Sequence, residues 1–240
     1  MLTINNLTMV KNSFKLGPVN LDIKNGYVYA IVGNSGAGKT VFLQSILGGF
    51  DIRKDMVYYD KLNFNDNELE IKFQYSYIAD KPLFSDKLRV DELISKLKKL
   101  DERLNIEKCF KLLKKYKVYR QKKIYELSQG QIKILLFSIG ISTKSNILVL
   151  DNPFSGVGLI AKRELLALLR EYITDDKIII IVTEEMNVIQ HFADYIIVFE
   201  NGKVILNEDI VSLQEKFNNT NVEEILITIL QGGKGNEQRI

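Results

Sequence analysis

A single cysteine, Cys109, among 240 residues leaves no intrachain disulfide to support the fold, and a lone thiol suits a reducing cytoplasm. Long apolar runs are also missing. Nowhere do about 18 apolar residues follow one another, which excludes a bilayer-spanning helix. Asn5, Asn6 and Lys11 interrupt the apolar N-terminal stretch, so no basic-then-apolar leader pattern is present. Neither sign of charge dominates: 33 Lys and Arg stand against 30 Asp and Glu, and a net +3 is too mild to point to nucleic acid. Repeats and low-complexity tracts are absent too. What remains is an ordinary soluble composition, 46% hydrophobic and 26% charged, in a chain long enough for one large domain or a domain with an inserted subdomain.

The cations are unevenly placed, with twelve Lys and Arg between Lys96 and Lys123. A solvated helical face is the ordinary reading of such a stretch, and attraction to an anionic membrane surface the alternative.

Leu2 to Ile4 and then Val19, Leu21 and Ile23 alternate as short antiparallel strands, and Tyr27 to Val32 is a denser strand bounded by Gly26 and Gly33. Val41, Phe42, Ser45 and Ile46 follow at helical spacing, which makes a strand–loop–helix unit. From about residue 86 to 145 the period is helical (Val90, Leu93, Ile94, Leu97, then Ile106, Phe110, Leu113, Tyr116), as expected of an inserted helical subdomain. Ile147 to Leu150 and Ile178 to Val182 are unbroken runs of the kind buried on both faces of a parallel sheet, with an amphipathic helix from Ile160 to Tyr172 between them. Tyr195 to Phe199 and Val204 to Leu206, joined through Asn201-Gly202, predict a hairpin. Residues 1–230 read as one domain and 231–240 as a frayed tail.

Gly33-Asn34-Ser35-Gly36-Ala37-Gly38-Lys39-Thr40 fills every fixed position of the phosphate-binding pattern G-x-x-x-x-G-K-[ST]. Glycines let the backbone curl so that its N–H groups point at phosphate oxygens, and the following helix adds the positive end of its dipole. Lys39 is then expected on the β- and γ-phosphates and the Thr40 hydroxyl on Mg²⁺. Such a loop needs a carboxylate for the metal from a neighbouring strand end, and Ile147-Leu148-Val149-Leu150-Asp151 offers Asp151.

About 90 residues after the loop, and about 20 before Asp151, stands Leu127-Ser128-Gln129-Gly130-Gln131. With these motifs the chain, over about residues 1–230, resembles the ATP-binding cassette (ABC) proteins, whose LSGGQ signature it matches with one change. The resemblance implies an α/β fold: a P-loop NTPase core with a mostly parallel sheet, an N-terminal antiparallel β subdomain and an inserted helical subdomain. It implies ATP and Mg²⁺ as ligands, and two cassettes paired head to tail, so that Ser128, Gly130 and Gln131 of one cover the ATP held by the other. Tyr77-Ile78-Ala79-Asp80-Lys81-Pro82 resembles the segment that reaches toward the metal and nucleotide, with Asp80 in place of a glutamine. Val222-Glu223-Glu224-Ile225-Leu226 resembles a C-terminal segment of ABC-2-type exporters.

Departures from the family pattern gather at hydrolysis. Asn152 stands where the family has the glutamate that polarises the attacking water, and a carboxamide can orient water but cannot take its proton. Glu184 stands in place of the switch histidine, an anion where the γ-phosphate wants a donor; it must point away, be protonated or sit in a remodelled site. Val10 falls near the place of the adenine-stacking aromatic, with Phe14 the nearest ring. The only histidine, His191, reads as a helix-surface residue. The resemblance therefore implies an ATP-binding subunit that hydrolyses poorly at its own site. Its partners would be membrane permease subunits and a second cassette, a heterodimer being favoured, with no nucleic acid. It would lie in the cytoplasm, peripheral on the inner face of the membrane, and export is the expected direction. A soluble single-cassette assembly or regulatory factor with little turnover is the competing class.

Overall fold

The computed structural model describes residues 1–231; of the expected tail, all but Gln231 lies outside the described residues. In chain order the elements are β1 (Leu2–Lys11), β2 (Phe14–Ile23), β3 (Tyr27–Val32), α1 (Lys39–Ile46), β4 (Val57–Tyr59), β5 (Leu62–Asn63), α2 (Glu68–Lys72), β6 (Tyr75–Ile78), α3 (Val90–Leu100), α4 (Ile106–Lys115), a 3₁₀ turn (Ile124–Glu126), α5 (Gln129–Ser142), β7 (Ile147–Asp151), α6 (Leu159–Tyr172), β8 (Ile178–Val182), α7 (Met186–Phe192), β9 (Tyr195–Glu200), β10 (Lys203–Asp209), α8 (Ile210–Phe217) and α9 (Val222–Leu230). The described residues divide into two compact units, one of residues 1–72 and 180–231 and the other Phe73–Ile179.

In the first unit β1 and β2 pair antiparallel within a sheet of order β2-β1-β4-β5. Leu2, Ile4 and Leu7 of β1 are buried opposite Ile23, Leu21 and Val19. The strand runs on to Lys11, further than alternation predicts. A register shift between Ile4 and Leu7, where Asn6 takes φ 47°, resets the period, and a bulge of this kind hides a continuing strand from a period-2 reading. β3 pairs parallel with β9, and β9 antiparallel with β10 through Asn201-Gly202, both at positive φ as a primed two-residue turn requires. Ala30, Val32, Ile196 and Val198 of these strands form one core with Ile210, Leu213, Val222, Ile225 and Leu226. The segment that resembles exporter C-termini thus places its apolar side chains in the core, in α9.

In the second unit β6 and β7 pair parallel, Tyr75 opposite Ile147 and Ile78 opposite Leu150. Every residue of β7 is buried. The expected helices are present as α3, α4 and α5, within the stretch assigned to the helical region. Cys109 is fully buried in α4 and its thiol is pushed up to about 12 by burial, which makes it a small core side chain and not a nucleophile. The cations divide: Lys111, Lys114 and Lys117 are exposed, while Lys115 pairs with Glu171 at 2.7 Å and Lys108 donates to the Ile141 carbonyl at 2.7 Å. Parallel β3–β9 and β6–β7 pairs, an N-terminal antiparallel sheet and a helical region make this the mostly parallel α/β class that the sequence predicts. No described helix is long and apolar enough to cross a membrane.

Candidate functional site

In the first unit the loop from Gly33 leaves β3 and enters α1 at Lys39. Space dictates two of its glycines. At Gly33, φ +147°, a Cβ would lie 2.2 Å from the Phe199 carbonyl oxygen; at Gly38, φ +105°, it would lie 2.8 Å from the Phe14 ring. The loop is pinned from within by Ala37 N–H on the Asn34 carbonyl (3.0 Å) and from outside by Gly202 N–H on the Ala37 carbonyl (2.9 Å). Lys39 is 8% exposed and folds back over the loop, its Nζ donating to the carbonyls of Gly33 and Asn34, the latter at 3.0 Å. A pinned glycine turn at a helix start, with a buried ammonium laid over it, has the charge and shape that a polyphosphate requires.

The structure places Glu184 beside the lysine of the loop. Its Oε1 lies 3.8 Å from Lys39 Nζ, with the Glu184 side chain 69% exposed. So open a pair contributes little to stability. Its chemical consequence is competition, because the carboxylate and an incoming phosphate claim the same ammonium. Glu184→Gln is expected to tighten ATP binding about two- to tenfold at low salt, with the gain shrinking as ionic strength rises; isothermal titration at two salt concentrations checks this. Of Val10 and Phe14, Val10 is 65% exposed, whereas the Phe14 ring lies beside Gly38 at the end of the loop. His191 is exposed on α7, as expected.

In the second unit Asp151 closes β7 at 8% exposure. Its Oδ2 accepts the Tyr77 hydroxyl at 3.1 Å, and its Oδ1 faces Asn152 Nδ2 at 3.4 Å. Burial first, and then the Asp151 charge, push the Tyr77 phenol above its ordinary range, so Tyr77 stays a neutral donor. Asn152 takes φ 43°, a left-handed conformation that asparagine tolerates better than most residues. Asp80 and Asn152, 72 positions apart in the chain, meet on one ammonium: Lys133 Nζ donates to the Asp80 carbonyl (2.6 Å), to Asp80 Oδ1 (3.0 Å) and to the Asn152 carbonyl (3.0 Å). Lys133 and Tyr77 are the residues that sequence reasoning missed. The available signal was a lone cation inside the apolar run Ile132-Lys133-Ile134-Leu135-Leu136-Phe137.

Also in the second unit, Ser128 caps α5. Its hydroxyl accepts Gln131 N–H at 3.2 Å, and Gln131 Oε1 accepts Ser128 N–H at 3.1 Å, a reciprocal capping box that leaves Ser128 exposed at the helix start. Gly130 is demanded by packing, since a Cβ would lie 2.6 Å from the Ala161 methyl group on α6. Among the described residues no three His, Cys, Asp or Glu gather as a metal cage.

The family profile described as ABC transporter matches residues 16–155. A putative ABC transporter ATP-binding protein of Bacillus cereus is 26% identical over 200 residues, 80% of this chain, which spans only 35% of that relative's length. The energy-coupling factor transporter ATP-binding protein of Clostridium perfringens is 24% identical over 88% of this chain and 79% of its own length. An uncharacterized ABC transporter ATP-binding protein of Bacillus subtilis is 25% identical over 92% and 76%. Among solved structures, an ATP-binding subunit of an ABC transporter superposes with a TM-score of 0.84 at 18% identity, covering 95% of this chain and 99% of that one. A cassette in its ADP conformation gives 0.75 at 22%, covering 98% and 96%.

Proposed function

Because this chain belongs to the ABC transporter family, we propose that it is an ATP-binding subunit that drives membrane permease subunits carried on other chains, working on the inner face of the membrane. The observation that carries this reading is the complete loop from Gly33 to Thr40 with the buried Lys39 folded over it. ATP is the proposed ligand. Mg²⁺, held with Thr40 and Asp151, would neutralise its phosphate charge when bound. Phe14, beside Gly38 of the loop, is the proposed stacking partner for the base.

Asn152 and Glu184 support slow turnover at this chain's own site. Asn152 has no basic oxygen to take a proton from water, and Glu184 places a negative charge beside the phosphate-binding ammonium. Ser128 and Gly130, by contrast, form an intact capped helix start. That combination supports pairing with a different cassette: this chain's loop would hold ATP as a long-lived clamp that stabilises the closed pair by binding alone, while Ser128 completes the partner's site. In the assembled transporter Ser128→Ala is expected to lower ATPase activity at least tenfold more than Asn152→Ala. Equal losses, or a native complex holding two copies of this chain and no other ATPase, overturn the asymmetric arrangement.

For the permease contact, the second unit offers a groove of about 260 Å³ lined by Ala79, Lys81, Leu83 and Phe84 beside Leu97, with Leu83 84% exposed at its edge. Export is the proposed direction, supported by the exporter-like segment Val222–Leu226. A second reading, a soluble assembly or regulatory factor that binds ATP with little turnover, is favoured by the same Asn152 and Glu184. Purification with or without membrane-spanning subunits separates the two.

A further inference from the structure

A lysine buried to 4% exposure needs a reason, because desolvating an ammonium is costly unless every donor is satisfied. Lys133 meets that condition: its three N–H bonds go to Asp80 O, Asp80 Oδ1 and Asn152 O. It thereby joins two segments of the second unit. One is the loop after β6 that carries Asp80. The other is the end of β7, where Asn152 holds its left-handed turn beside Asp151. Asp80 thereby sits near the metal candidate, because the ammonium that holds its Oδ1 at 3.0 Å also reaches, at 3.0 Å, the carbonyl of Asn152, the residue after Asp151. The charges of Asp151 and Asp80 both bear on the Tyr77 phenol and help to retain its proton. Two neighbouring carboxylates would bind a divalent cation better than either alone, and Asp80 is held by a lysine.

We propose that Lys133 is a positioning residue whose ammonium competes with the metal ion for Asp80, fixing Asn152 and keeping the Asp80 carboxylate out of the metal's coordination. This rests on the reading of Asp151 as a Mg²⁺ ligand and adds to it the group that restrains its neighbour. The ion pair is 3.0 Å long with side-chain exposures of 5% and 36%, so Asp80 can turn to solvent or metal once the lysine is gone.

The test measures the Mg²⁺ concentration that half-saturates ATP binding by the full chain. In Lys133→Gln it is expected to fall about three- to tenfold, because a further carboxylate joins the metal. In Lys133→Arg, which keeps the charge, it stays near the wild-type value, and in Lys133→Gln/Asp80→Asn the gain disappears. No change in Lys133→Gln, or the same change with and without Asp80→Asn, overturns the proposal. Thermal unfolding of the wild type, both single variants and the double is the second measurement and needs no nucleotide. The double variant is expected to lose clearly less than the sum of the single losses, since it buries neither orphaned charge. A single Lys133→Gln chain that fails to fold while the double folds supports the pairing; strictly additive losses break it. If the wild type binds no Mg·ATP, the functional reading falls, and the unfolding cycle alone decides the Lys133 link.

Discussion

Lys39→Ala is expected to raise the dissociation constant for ATP about 100-fold or more while leaving the fold intact. Lys39 is nearly buried, its ammonium lies over the loop on the carbonyls of Gly33 and Asn34, and the open Glu184 carboxylate stands 3.8 Å from it. A phosphate that displaces those contacts gains a charge-assisted bond in a partly dry site, and losing one partner of such a bond costs roughly 2–5 kcal/mol. Lys39→Arg is not expected to rescue, because a planar fork cannot fold back into the space of a point charge. Titration of ATP against wild type and both variants, with circular dichroism to confirm folding, checks the result. Unchanged affinity in Lys39→Ala would remove the basis of the nucleotide reading.

Asn152→Glu is expected to raise the ATPase rate of the chain by about 100-fold, from a wild-type rate close to background. The position follows Asp151 directly, and a carboxylate there can take the proton from an attacking water; general bases contribute roughly 10²- to 10⁴-fold. The lower end is expected, since Glu184 remains beside Lys39 as a negative charge. The substitution also carries a local cost. Asn152 sits at φ 43°, where asparagine is enriched and glutamate is not, so about 1 kcal/mol of stability is lost, equivalent to roughly 2–4 °C in melting temperature. Asn152→Gln separates base from shape: it meets the same strain and is expected to show no gain in rate. Phosphate release under single- and multiple-turnover conditions reads the outcome. Brisk hydrolysis by the wild type, or an equal rate in the glutamate variant, contradicts the assignment.

Legibility from sequence followed the range of the interactions. Tyr27 to Val32, the loop from Gly33 to Thr40, and α1 form one contiguous stretch whose chemistry is local: glycines for positive φ, a lysine and a threonine for phosphate and metal. β7 was readable as an unbroken apolar run ending in Asp151, and the turn Asn201-Gly202 announced its hairpin. β6 escaped notice because it is only four residues long and contains Ser76, whose hydroxyl is satisfied by the Gly140 carbonyl at 2.9 Å, so a polar residue stands in a buried strand. The extension of β1 to Lys11 escaped because a bulge broke its alternation.

The sequence by itself determined the phosphate loop, the strand-end aspartate, the helix start at Ser128 and the longer strands and helices around them. Each depends on neighbouring residues or on a short periodic pattern, so composition and spacing carry the information. Tertiary structure alone decided which charges meet. Lys133 reaches Asp80 across 53 residues and Tyr77 reaches Asp151 across 74, while Glu184 stands 3.8 Å from Lys39. A side chain's protonation, pairing and access follow from what burial and backbone path bring within about 4 Å of it, and those distances are set by packing among segments that the sequence does not order in space.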